Sequence, residues 1–264
     1  MAIKHLLLTE VLQGTPKSNL DALELTAAHT VLHTIRARLG PSGTLALLET
    51  DIATANIFWH ATVARSSGRF TSRPVLVRAF VNPAILNATS FANWFASAGA
   101  GSTFPNALMA GHPAHYLELA SDGGITIDII ESWGAGLIAH LSAKPTARQP
   151  FMPDLAEFPV QNVVALTLMD GTVFGYTIIA ARDLADGSGM EIRSEMWMPD
   201  TTPVDIMRGL EEHSTTELVY WLRFAYDGLV DGRGTHEGPP HDAGLSGDVG
   251  KLDEGFEADI LSEL

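Results

Sequence analysis

Apolar residues recur at helical spacing through KSNLDALELTAAHTVLHTIRARL (17–39), which predicts an amphipathic helix closed by Gly40 and Pro41. The next stretch, 43–63, is apolar and fits either helix or strand. RPVLVRAFV (73–81) reads as a strand, and SFANWFASAG (90–99) as a short helix capped by Ser90 and ended by Gly99. The period then changes from 3.6 to two. AHYLELA, SDGG and ITIDIIESWG (114–134) form one hairpin, and VQNVVALTLM, DG and TVFGYTIIAARD (160–183) a second. MEIRSEMWM (190–198) adds another strand.

A long helix over 203–229 follows, with Thr202 as N-cap, Pro203 as its first residue and Asp205 in the first turn. Antiparallel strands ending in one long helix predict an α+β layout, a curved sheet wrapped around the helix. Three regions result: a mainly helical 1–72, an α+β domain at 73–230, and a flexible acidic tail at 231–264. Within the tail, 232–255 should be mobile, and EADILSEL at the end reads as a short docking helix.

The final helix carries an anomaly. Ile206, Leu210, His213, Glu217, Tyr220, Trp221 and Phe224 fall in one sector at about 100° per residue. His213 and Glu217 therefore point at the core, one turn apart. A buried carboxylate is costly unless it is paired or bound to a metal.

The first hairpin repeats the anomaly. A turn centred on Gly123 places His115 opposite Glu131, Leu117 opposite Ile129 and Leu119 opposite Ile127, all on one face. Tyr116, Glu118, Thr126 and Asp128 fall on the other, partly solvated face. Opposed strand residues lie about 4.5–5.5 Å apart at Cβ, close enough to share an ion. Two core-facing elements thus each offer one imidazole and one carboxylate. His115, Glu131, His213 and Glu217 form a sulfur-free set suited to Zn²⁺, with Fe²⁺ or Mn²⁺ as alternatives. A buried hydrogen-bonded cluster without metal is the competing reading.

Composition narrows the function classes. Net charge is −15 with no Lys/Arg-rich run, which argues against a nucleic-acid or anionic-membrane binder. Residues 231–264 hold nine Asp/Glu against two Lys/Arg and so carry much of that charge. With zero cysteines, disulfides, thiol catalysis and thiolate-held metals are excluded. No signal peptide and no 18-residue apolar stretch is evident, so a cytoplasmic protein is expected.

In ligand order and element type, His115, Glu131 followed by Ser-Trp-Gly, and His213-x-x-x-Glu217 resemble the 2,4-diacetylphloroglucinol hydrolase family, which includes phloretin-hydrolase-like enzymes. The run FPVQNVVALTLMDGT (158–172) fits a strand and turn of the same domain, and the likeness spans roughly residues 105–230. The resemblance implies a Bet v 1-like sheet-and-helix domain with a smaller helical N-terminal part. It further implies zinc held by the four residues above, and hydrolysis of the carbon–carbon bond between an acyl group and a phenolic ring. A small aromatic ketone is then the expected substrate. Tyr220 and Tyr176 are candidate proton donors facing the cavity, whereas alternation turns Tyr116 away.

Other histidines carry weaker signals. His29 and His33 share a helix face without carboxylates, and His112 sits at the strand entrance opposite Gly134. His60 reads as a core or domain contact, and His140 lies in a loop-like stretch. His236 and His241 fall in the tail. AGAGS (98–102) lacks the strand–helix context of a nucleotide site, and no G-x-S-x-G occurs. Two other functions compete with the hydrolase: a non-catalytic carrier of hydrophobic small molecules using the same cavity, and an interaction module in which residues 1–100 drive homodimerisation or partner binding. Exposed apolar surface on the 17–39 helix would favour the last.

Overall fold

Seven strands join into one antiparallel sheet with a long helix across one face. The computed structural model describes residues 19–100, 112, 114–121, 126–133 and 136–230. The expectations for the acidic tail, for His236 and His241 and for most of the first hairpin's turn lie outside the described residues, as do the side chains of His29 and His33. The elements in chain order are α1 (Asn19–Arg65), β1 (Phe70–Ala79), α2 (Ala88–Ala100), β2 (His115–Ser121), β3 (Thr126–Ser132), β4 (Ile138–Pro145), β5 (Val160–Leu168), β6 (Val173–Asp183), β7 (Met190–Pro199) and α3 (Val204–Val230). Strand order is β1-β7-β6-β5-β4-β3-β2. This is the expected α+β arrangement, an antiparallel sheet with a long C-terminal helix and a helical N-terminal part. No helix among the described residues is long and apolar enough to cross a membrane.

Several boundaries differ from the sequence reading. The ambiguous stretch 43–63 is helical and continues α1 beyond a break at Gly40, whose φ of 61° suits glycine. Ser90 is not the cap of α2. Asn87 is: its Oδ1 accepts from Ser90 N at 2.9 Å, while Ser90 Oγ accepts from Asn87 N at 2.8 Å. That reciprocal pair is a capping box shifted by three residues. Thr202 does not cap α3, since its buried hydroxyl has no partner among the described residues and Met207 N bonds to the Pro203 carbonyl. The strand β4 was not expected, because two of its three inward residues, Ala139 and Ala143, are small beside Leu141 and its alternation is faint. His140 therefore lies on a strand, paired with Ile130, rather than in a loop. Pro74 is tolerated in β1 because that strand is an edge.

Helix α3 packs on the sheet through two apolar patches. Ile206, Met207 and Leu210 meet Leu141, Leu166, Leu168 and Met198. Leu218, Trp221, Leu222 and Ala225 meet Val75, Val77, Ala79 and Ile192, with Phe91 and Trp94 of α2 closing the far side. Between those patches α3 presents His213, Ser214 and Glu217. The opposite sheet face carries charge instead. Glu191, wholly buried, accepts from Arg78 Nε at 2.5 Å and Arg182 Nη2 at 2.6 Å, and Glu195 accepts from Arg193 Nη2 at 2.7 Å.

Helix α1 is tied to the sheet by its second half. Leu48 and Ile52 pack on Leu117 and Ile130, while Ala55 and Trp59 join Trp133, Ala139, Leu141 and Phe174. Thr201 Oγ1 donates to the Thr62 carbonyl at 2.7 Å, and Asp200 accepts from Ser66 Oγ at the same distance. His60, half exposed, is a contact between α1 and the β5–β6 turn, 3.0 Å from Asp170. Along the first half, Val31, Ile35 and Leu39 remain exposed, the apolar stripe that the interaction reading called for.

Trp59 is fully buried and meets Trp133 edge-on with ring centroids 5.8 Å apart. Replacing Trp59 by alanine should cost about 3–5 kcal/mol of stability, read as a fall in denaturant midpoint. An unchanged midpoint would mean that α1 is not part of the cooperative unit.

A buried cluster of histidines and glutamates between sheet and helix

The hairpin β2–β3 holds the expected pair in register: His115 lies opposite Glu131. The remainder of the hairpin does not follow the expected register. A bulge at Tyr116 shifts the ladder by one residue, so that Leu117 faces Ile130, Glu118 faces Ile129 and Leu119 faces Asp128. Every β2 side chain beyond the bulge changes face, while β3 keeps its alternation. Leu117 turns toward Leu48 and Ile52 of α1, Leu119 becomes 40% exposed, and Glu118 moves from the expected solvated face to full burial beside His115.

The four expected ligands come together. His115 Nε2 lies 2.9 Å from Glu131 Oε2, 3.3 Å from His213 Nε2 and 3.6 Å from Glu217 Oε1. Glu131 Oε2 is 3.4 Å from His213 Nε2. The surrounding groups fix these atoms. Glu118 Oε1 accepts from His115 Nδ1 at 2.9 Å, which turns Nε2 inward. Trp133 Nε1 donates to Glu131 Oε1, freeing Oε2 for the centre. Trp59 on α1 backs Trp133, so the N-terminal helix supports one ligand through two residues.

His112, read from sequence as a bystander, is part of the cluster. It is buried, its ring lies against that of His213 at a tilt of 32° with centroids 4.1 Å apart, and the centroid of His115 is 5.2 Å away. The backbone turn brings it in, with the His112 carbonyl accepting from His115 N at 3.2 Å. The spacing His-x-x-His was the available signal. His112, His115 and His213 lie close enough to hold a metal ion. Glu118 was the other residue missed, and no alternation pattern could have found it across a bulge.

The candidate proton donors separate. Tyr220 sits one turn past Glu217 on α3, half buried, with its ring 6.4 Å from Phe224. Tyr176 is not brought to the cluster. It pairs with Trp197 and Ala165 on the sheet face away from α3 and packs edge-on against Phe70 and Phe151. The alternation of β6 requires this, because Thr177 and Gly175 take the α3-facing positions.

Burial and proximity set the electrostatics. Burial opposes the charged form of His115, but the Glu118 and Glu131 carboxylates on either side outweigh it and hold the imidazole pKa well above its ordinary value. Burial likewise opposes charge on Glu131, and the bonds to His115 and His213 overcome it, so this carboxyl lies well below the usual range. Glu217 lacks such a bond, and burial pushes it up to about 7. Burial and the neighbouring His213 and His115 take His112 down to about 3. Among the described residues neither Glu131 nor Glu217 pairs with an arginine or lysine, unlike Glu191 and Glu195.

A cleft of about 550 Å³ leads to the cluster between the first half of α3 and the ends of β2 and β3. His112 and His213 form part of its wall, with Ser132, Arg208, Glu212 and Thr216. No family model and no curated protein matches the sequence. Among solved structures, Ara h 8.0201 is similar at 13% identity with a TM-score of 0.39, covering 60% of this chain and 99% of that one. An uncharacterised protein from Bacillus thuringiensis is similar at 7% identity and TM-score 0.37, covering 60% and 98%. XoxI from Bacillus cereus is similar at 9% identity and TM-score 0.34, covering 62% and 98%. None of these likenesses bears on the chemistry of the site.

Two consequences can be measured. Glu217 ordinarily titrates near 4.5 and in the folded metal-free protein near 7. Between those values the folded state keeps a proton that the unfolded chain has lost, so this group's contribution falls as pH rises through the window. Glu217→Gln, which mimics the protonated acid, should therefore stabilise the metal-free protein above about pH 7, by on the order of 2 kcal/mol. Adding Zn²⁺ should reverse the order, leaving the wild type more stable; thermal melts with and without zinc decide it. Glu118→Gln should weaken zinc binding about 10–100-fold while leaving the fold intact, as read by competition with a chromophoric chelator.

Proposed function

We propose that the protein is a metal-dependent hydrolase that cleaves the carbon–carbon bond between an acyl group and a phenolic ring in a small aromatic ketone. A cytoplasmic setting belongs to the same proposal. The observation that carries it is the convergence of two imidazole nitrogens and two carboxylate oxygens from β2, β3 and α3 on one point. Zinc bonds of about 2.0–2.1 Å at tetrahedral angles put ligand atoms roughly 3.3 Å apart. Separations of 2.9, 3.3, 3.4 and 3.6 Å bracket that value. Two nitrogens and two oxygens without sulfur suit Zn²⁺, with Fe²⁺ or Mn²⁺ as alternatives. His115, Glu131, His213 and Glu217 would hold the ion, and the open cleft on one side supports catalysis over a closed structural site.

When bound, the ion supplies Lewis acidity, polarising the ketone and lowering the pKa of a water. The chain's own groups do the rest. Glu118 keeps His115 in the tautomer whose Nε2 faces inward, and Trp133 holds Glu131 by its outer oxygen. The cleft admits the acyl-phenol from the His112 and His213 side, where Ser132, Thr216 and Arg208 meet its hydroxyls. A hydroxyl ortho or para to the acyl group lets the ring carbon leave as part of a ketonised ring, and that carbon must then take a proton. Tyr220 is the tyrosine left for this role, since Tyr176 faces away from α3.

Elemental mass spectrometry on tag-free, zinc-loaded protein should give about one zinc per chain. Glu131→Ala and His213→Ala should each lose the zinc and, with it, turnover of hydroxyacetophenone-type substrates. Protein that takes up no zinc, yet still binds acyl-phenols after Glu217→Ala, would be a carrier instead.

A further inference from the structure

Resting on that reading, the structure also distinguishes His112 from the other two histidines. Its Nδ1 accepts the Ala114 backbone N–H at 2.9 Å, and the same turn is closed by the His115 N–H on the His112 carbonyl. An imidazole whose Nδ1 accepts carries its hydrogen on Nε2 in the neutral ring. Each nitrogen is therefore committed: Nδ1 spends its lone pair on the backbone, and Nε2 has a hydrogen where a ligand needs a lone pair. His115 is set the opposite way: Glu118 takes the hydrogen on Nδ1, so Nε2, which faces Glu131, is the nitrogen that would bind an ion once its own proton is displaced. Hydrogen bonding at Nδ1 thus sets His112 as a donor where it sets His115 as a ligand.

The position of the donor matters. His112 belongs both to the cluster, with a ring nitrogen within 4.8 Å of the ligand nitrogens of His115 and His213, and to the wall of the cleft. A ketone entering along that wall brings its carbonyl oxygen between the ligand set and the His112 ring. We propose that His112 is a catalytic hydrogen-bond donor and not a metal ligand: its Nε2–H meets the substrate carbonyl oxygen. The attacking water releases one proton to solvent in the open cleft; as its oxygen bonds to the carbonyl carbon, the carbonyl π pair moves onto the carbonyl oxygen, and His112 stabilises the charge there without giving up its own proton. The backbone bond from Ala114 holds the ring in this orientation before substrate arrives, which removes the cost of ordering it.

The test reads the tautomer directly. Histidine-selective ¹⁵N labelling with long-range ¹H–¹⁵N correlation is carried out on the metal-free and the zinc-loaded protein, with His112→Gln assigning the resonance. The expected result is a protonated Nε2 and an unprotonated, hydrogen-bonded Nδ1 on His112 in both forms. Loading with ¹¹³Cd should split the nitrogen signals of His115 and His213 and leave those of His112 unsplit. A cadmium-split nitrogen on His112, or a hydrogen on its Nδ1, would overturn the assignment.

Zinc affinity gives a second reading. His112→Gln should stay within about threefold of the wild type, whereas His213→Ala should lose about 100-fold or more. With zinc content intact, kcat for 2-hydroxyacetophenone should fall about 10²–10³-fold in His112→Ala, and His112→Gln, which keeps an N–H, should recover part of it. A His112→Ala variant with full zinc content and wild-type kcat would also overturn the role. Should the protein bind no metal at all, the hydrolase reading fails on its own, while the tautomer of His112 is still read in the metal-free protein.

Discussion

Burying carboxylates without an arginine or lysine beside them is the constraint on which the rest of this structure depends. Glu191 and Glu195 show the ordinary solution on the other face of the sheet, each held by guanidinium groups at hydrogen-bond distance. Glu131 and Glu217 have imidazoles, and for Glu131 one indole N–H, in place of a guanidinium, between two apolar patches. The neighbouring machinery exists to fix them in place. Glu118 sets the tautomer of His115, Trp133 takes one oxygen of Glu131, and Trp59 on α1 packs behind Trp133. The cation proposed above would serve both carboxylates and the two imidazole nitrogens 3.3 Å apart at once.

The N-terminal helix changes meaning in this light. It was separable in the sequence as a helical region ahead of the sheet. In the fold, its second half forms an outer layer against β2, β3 and β4, and its tryptophan reaches the support of a ligand two residues away. Stability and site geometry are therefore coupled through α1.

The helix pair His213 and Glu217 was legible because a 27-residue helix fixes its own period, and apolar neighbours on both sides mark the buried sector. The hairpin pair was legible for a weaker reason. The register inferred from the turn holds only at its far end, where the bulge at Tyr116 happens to restore the pairing of His115 with Glu131. Between turn and bulge the same reasoning put Leu117, Glu118 and Leu119 on the wrong faces, since one extra residue inverts a period of two. His112 escaped because its position is set by a backbone turn and not by strand alternation. The strand β4 escaped because alanines give little contrast between faces, and Tyr176 was misplaced because both faces of β6 are apolar and covered, which hides the one that meets α3.

The central claim is that β2, β3 and α3 share one ion. Anomalous diffraction at the zinc absorption edge, on crystals of protein grown with Zn²⁺, tests this most directly. The account predicts a single strong peak about 2.0–2.2 Å from His115 Nε2, His213 Nε2, Glu131 Oε2 and a Glu217 oxygen, with His112 outside that shell. A peak ligated by His112 in place of a carboxylate, or no peak at the cluster, would contradict it.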